Sequence, residues 1–306
     1  MTTGDLPAAA FASRMAADGV TLRIPPITVR VRSDVRALAL QLHNVYRDYA
    51  LVADADFADV DIRILRERGL RRWDSKQAHF IVDGTTPFDP FPIEHALPTF
   101  EWGLNWVFAQ RMNMWLLLHA AAVERDGKAL LLPAYPGGGK STLAASLASR
   151  GWRLLSDEFA VVADERGTVL PFARPPAIKN AAIDVLRAFA PEISFGPVIP
   201  NTRKGTIAHM RVPRASLELG DAGATVGMIA FPEFQAGATI AVARIGEADA
   251  FMRLAVHSFN YDVLGARAFH MAGALVRSCP CHVLRYGDLS DAHAALESLA
   301  RTAVTA

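Results

Sequence analysis

The sequence predicts an α/β protein in which a phosphate-binding-loop domain follows a small α+β unit. Three observations predict it. Lys128–Pro133 is a short apolar run of strand type, three glycines follow at 137–139, and residues 140–150 are helix-forming, with Gly151 as a stop. Strand-like and helix-like stretches then alternate to the end of the chain. The 306 residues, 51% of them apolar, suffice for one large domain or two smaller ones and exclude wholesale disorder.

Taken in order, residues 1–19 are rich in Ala, Gly and Thr and read as a flexible start, frayed or weakly helical. Residues 20–31 carry Leu22, Ile24, Ile27, Val29 and Val31, one or two strands broken at Pro25-Pro26. Ser33 or Asp34 can cap a helix in which Val35, Leu38, Leu42, Val45 and Tyr49 recur at helical spacing. Residues 60–65 and 79–84 read as strands, and 86–92 as a loop. A longer helix over 93–113 holds Trp102, Trp106 and Phe108, a cluster of core type. Residues 20–113 thus form a small α+β domain without a chemical motif.

Residues 114–306 carry the phosphate-binding loop. Strands are expected at 115–123 and 128–133, joined by a turn at 124–127, with the helix 140–150 and a strand at 152–156 after them. Strands 159–163 and 168–172 flank a turn at 164–167. A helix at 181–189 precedes a Pro-, Gly- and Asn-rich loop at 191–204. Residues 226–231 and 238–245 read as paired strands, followed by helices 247–259 and 266–278, strand 281–286 and helix 290–304.

The charge balance, 32 basic against 31 acidic residues, gives no electrostatic footprint for nucleic acid or a membrane surface. The two cysteines, Cys279 and Cys281, have no second Cys/His pair at zinc-site spacing and read as reduced, buried thiols. No signal-type start and no bilayer-length apolar run stand out, so a cytoplasmic protein is expected.

The chemistry centres on the loop. Pro136, Gly137, Gly138, Gly139, Lys140, Ser141 and Thr142 fit the second half of G-x-x-x-x-G-K-[ST], with Ala134 at the first glycine position. Glycine amides can turn inward on a phosphate, Lys140 can reach the β- and γ-phosphates, and the Ser141 hydroxyl can ligate Mg²⁺. The bland alternative is a glycine-rich turn with an exposed lysine. Asp157 and Glu158 follow an apolar strand, where an acid can hold Mg²⁺ or accept the proton of an attacking hydroxyl; a surface turn is the competing account. His119 ends an apolar run, a position that suits a core histidine as well as a catalytic one. Arg174 and Lys179 flank the stiff Pro175-Pro176, and Arg203-Lys204 occupy a later loop. Both are cations able to face a triphosphate, or simply solvated charge.

In order and spacing, His119, the 133–142 loop, the Asp157-Glu158 pair and Arg174 resemble HPr kinase/phosphorylase. The strings at 155–159, 171–175, 178–180, 202–209 and 258–261 resemble more closely its relatives called HPr-kinase-related kinase A. The resemblance spans about residues 115–290 and implies the HPr kinase/PEP carboxykinase-type P-loop fold with its mixed sheet. It also implies ATP and Mg²⁺ as cofactors, Asp157 as the base that deprotonates a serine, Glu158 near the metal, and His119 and Arg174 as catalytic residues. Phe172 stands where the family signature has a glutamate, and Pro175 where it has a glycine; the family's Pro-Gly-Arg-Asn block is missing. The acceptor implied is a peptide or protein serine, with a PqqD-like peptide chaperone as a possible partner and homo-oligomerisation by analogy. The alternatives are a nucleotide-gated binding protein without efficient phosphotransfer, its first ~110 residues docking a partner, and a small-molecule hydroxyl kinase.

Overall fold

Residues 1–53, 57–67 and 76–304 are described by the computed structural model, a mixed α/β protein built on mixed sheets. The start of the chain is firmer than expected. Residues 1–19 hold a packed helix, α1 (Ala8–Ala17), rather than a frayed one, because Phe11 and Met15, one turn apart, are both fully buried. Strands β1 (Val20–Ile24) and β2 (Ile27–Ser33) form a hairpin across the cis Pro25–Pro26 bond. Helix α2 (Arg36–Val45) follows; Ser33 Oγ accepts from the Val35 amide, whereas Asp34 accepts from Arg66 instead. Strands β3 (Val60–Arg66), β4 (Gln77–Val82) and β5 (Phe91–Pro92) complete a five-stranded sheet in sequential order, parallel only between β2 and β3. Helix α3 (Ala96–Arg111) is buried on most sides, since it lies between this sheet and the rest of the protein.

The expected strand at 115–123 is two strands, β6 (Leu116–Leu118) and β7 (Ala120–Arg125), broken at His119. There β6 leaves to pair with a different partner, and the His119 amide donates to the His257 carbonyl at 2.6 Å. Strand β8 (Lys128–Pro133) runs into the glycine loop and helix α4 (Lys140–Ser149). Next come β9 (Arg153–Ser156), the hairpin β10 (Ala160–Val162) and β11 (Thr168–Leu170), β12 (Ala177–Lys179) and α5 (Ala182–Phe189).

Residues 191–204 are not a loop. They contain β13 (Phe195–Thr202), paired to β14 (Gly205–Met210), which in turn pairs with β12. The Pro and Gly residues that suggested a loop are tolerated because β13 is an edge strand with two register shifts. After α6 (Arg214–Glu218) come β15 (Ala224–Phe234), β16 (Ala241–Arg244), helices α7 (Glu247–Val256), α8 (Tyr261–Leu264) and α9 (Ala266–Ser278), β17 (Cys281–Tyr286) and α10 (Leu289–Val304). The expected β15–β16 pair does not form, because β17 inserts between them, parallel to β15 and antiparallel to β16.

The nine-stranded sheet holds β6-β10-β11-β15-β8-β7-β9, with β17 and β16 beyond β15. One face packs on α4, α10 and, through a continuous apolar core, the N-terminal sheet; the other packs on α7 and α9. Among the described residues, no helix is long and apolar enough to cross a membrane.

Candidate active site

Topology brings three chemical segments to one sheet edge. Strands β8 and β9 both pair antiparallel with β7, so their carboxyl ends and the amino end of β7 coincide. Ala120 faces Pro133, and Ala122 faces Ser156. The glycine loop after β8, Asp157-Glu158 after β9 and His119 before β7 therefore meet.

The loop has the backbone its glycines allow. Gly137 and Gly139 have φ of +90° and +88°, a region that disfavours L side chains. The Gly138 amide closes a turn to the Tyr135 carbonyl at 3.0 Å. Ala134 replaces the first glycine without a clash because Gly138 faces it; a Cβ on Gly138 would lie 3.0 Å from the Ala134 methyl. Pro136 and Gly137 are exposed, Ser141 and Thr142 are half-buried, and Lys140 is buried at the first turn of α4.

Glu158 is the hub. Its carboxylate lies 3.5 Å from His119 Nε2 and 3.9 Å from Lys140 Nζ. Burial alone would raise its pKa, but the hydrogen bond from His119 and the charges of Lys140 and Lys204 outweigh it and hold the group ionised. One of its oxygens faces His119 and the other faces Lys140. Asp157 behaves oppositely. Burial raises its pKa, helped by the nearby Glu158 charge and opposed by Lys140, the Ser141 hydroxyl and Lys179. Its Oδ1 is buried and has no hydrogen-bond partner.

Asp157, Glu158, Arg174, Lys179 and Lys204 line one cleft with Glu101, Trp102 and Asn105 of α3. The 171–176 segment is anchored by the Phe172 amide, which donates to Leu155 of β9 at 2.7 Å. The hairpin between β13 and β14 carries Lys204 to 5.4 Å from the Trp102 ring. Its pKa is lowered by burial, and further by Lys179 and Lys140. Arg203, expected beside it, is exposed and lies outside the cleft lining. Arg174 is buried; its guanidinium donates to Glu101 Oε2 at 2.8 Å, to the Glu101 carbonyl at 3.2 Å and to Asn105 Oδ1.

Sequence reasoning missed Glu101, Asn105 and His257. The signal for Glu101 was its place as the lone acid in a mostly apolar helix. His257 is buried, donates Nδ1–H to the Arg253 carbonyl at 2.7 Å, and packs against the Tyr135 ring in a tilted pair at 4.5 Å. Its Nε2 has no partner.

Among the described residues, no group of three or more His, Cys, Asp and Glu side chains is arranged to hold a metal. The partnerless Asp157 oxygen beside Ser141 does fit Mg²⁺, which takes few protein ligands and the rest from phosphate and water. No protein-family model matches the chain, and no curated protein matches it in sequence.

Proposed function

We propose that the protein is an ATP- and Mg²⁺-dependent kinase of the HPr-kinase-like P-loop type, which transfers the γ-phosphoryl group to a serine-type hydroxyl of a peptide or protein. The observation that carries this reading is the meeting, at one sheet edge, of a glycine loop with Lys140 and a buried carboxylate, Asp157, whose Oδ1 is unpartnered.

The loop amides and Lys140 receive the phosphates, Lys140 exchanging its long contact with Glu158 for phosphate oxygens. Ser141 and Asp157 would hold Mg²⁺, whose charge offsets that of the phosphates. Asp157 accepts a hydrogen bond from the acceptor hydroxyl and then its proton. Burial makes its carboxylate a stronger base than an exposed one. His119 and Lys140 keep Glu158 ionised, and its carboxylate in turn orients both side chains. Arg174, Lys179 and Lys204 face the charge that develops on the transferred group.

Buried Phe172 favours a second reading, a nucleotide-gated binding protein, because the resembling family has a carboxylate at that position. Incubation with γ-labelled ATP and serine-containing peptides, with Ser→Ala controls, separates the two. Label on serine, reduced about 10²–10⁴-fold by Asp157→Asn, supports the kinase. Undiminished transfer by Asp157→Asn removes the base assignment, and MgATP binding with no labelled acceptor supports the binding protein.

A further inference from the structure

Arg174 sits on a loop of residues 114–306, yet its polar partners come from α3 of the N-terminal unit. Glu101 accepts two of its N–H groups, one on Oε2 and one on the backbone carbonyl, and Asn105 accepts a third. Glu101 is itself fixed, because the Tyr46 hydroxyl donates to its Oε1 at 2.6 Å. The Tyr49 hydroxyl ties down the adjoining backbone by donating to the Ala173 carbonyl at 2.9 Å. Below the guanidinium lies the Phe172 ring, 4.7 Å from the Arg174 Cζ, and that ring stacks on Phe108 of α3 at 3.9 Å. Tyr46, Glu101 and Arg174 are all buried, so the array is held on every side except the cleft it lines.

From this geometry we infer that Glu101, locked by Tyr46, is a positioning residue that aims Arg174 into the cleft, so that the N-terminal unit completes the phosphotransfer centre. Two physical points carry it. A buried guanidinium needs a carboxylate to offset its desolvation, and residue 172, two positions away in sequence, offers only a phenyl ring. The clamp also leaves a deficit: Arg174 Nε–H is buried without an acceptor. A buried donor without a partner is costly, so the fold accepts a penalty to keep the guanidinium at the cleft. The clamp thus sets an otherwise mobile side chain in advance of binding, which removes an ordering cost from the charged transition state. Breaking it weakens what binds like the transferring phosphoryl group more than what binds like the product nucleotide.

This inference rests on the phosphotransfer reading of the same cleft, and calorimetry on the full chain separates their failures. MgADP and MgADP with aluminium fluoride, which mimics the transferring group, are titrated into wild type, Glu101→Ala, Arg174→Ala and the double variant. Each single variant is expected to bind the fluoride complex about 10–100-fold more weakly, with MgADP affinity within about threefold of wild type. The double variant is expected to match Arg174→Ala, because Glu101 acts through Arg174. Single-variant losses that multiply in the double variant, or a Glu101→Ala affinity equal to wild type, overturn the positioning role and leave nucleotide binding intact. A wild type that binds neither complex sinks the kinase reading and this inference together. If Glu101→Ala does not fold, Glu101→Gln and Tyr46→Phe replace it, with about 3–10-fold losses that vanish in the Arg174→Ala background.

Discussion

His209 offers a stability test whose size follows from its surroundings. It lies on β14 opposite Ala177, is fully buried, and neither ring nitrogen has a hydrogen-bond partner. Burial, reinforced by the charges of Arg174 and Lys179, pushes its pKa from 6.5 down to about 3. The unfolded chain therefore binds a proton at 209 as pH falls below 6.5 while the folded protein does not, so stability is lost on acidification. Between about pH 7 and about pH 5 an unfolded-state histidine gains about 2 kcal/mol from protonation, and the native state gains almost none. His209→Leu removes that difference and sacrifices no hydrogen bond. Urea unfolding at the two pH values should show wild type losing about 2 kcal/mol more than the variant. Burial also lowers the pKa values of His257, His282 and His293, but their contributions are common to both proteins and cancel. Equal acid losses in the two proteins, or a His209 ring that titrates near its ordinary value in the folded state by NMR, would refute the reasoning.

Two further perturbations probe the loop and the start of the chain. Gly139→Ala forces an L residue to φ +88° and drives its methyl into the Tyr286 hydroxyl, to 3.0 Å from Phe234 Cβ. A loss of about 2–5 kcal/mol in thermal unfolding is expected, and adding Tyr286→Phe should relieve the hydroxyl overlap but not the Phe234 contact or the backbone strain. Phe11→Ala should cost about 3–5 kcal/mol in denaturant unfolding, because the ring is fully buried in the main core; a change below about 1 kcal/mol would restore residues 1–19 to a loose lead.

What could be read from the sequence was what depends on neighbours in the chain. The run from Lys128 through the glycines into α4, and the acids just after β9, are local patterns with local causes. The break at His119 was hidden because Leu116–Leu118 before it and residues 120–123 after it are all apolar and buried, so no change of period marks it. Strand β13 was hidden by composition, since an edge strand tolerates the prolines that argue against a central one. Pairing β15 with β16 followed nearness in sequence, and only the completed sheet shows that β17 comes between them. For the candidate site, Lys140, Asp157 and Glu158 were visible as a motif. Glu101 was not, because its partner Arg174 is 73 residues away and no spacing rule links a helix in one unit to a loop in another.

The insertion of β17 also imposes an order in time. Tyr286, its last residue, donates its hydroxyl to the Gly139 carbonyl at 3.3 Å, a contact between residues 147 positions apart. A ribosome adding about 5–20 residues per second needs roughly 7–30 s to travel from one to the other. Throughout that interval the glycine loop exists as sequence without the strand that closes against it. Its native shape is therefore reached late in synthesis, and the nascent chain spends most of its production without a finished glycine loop.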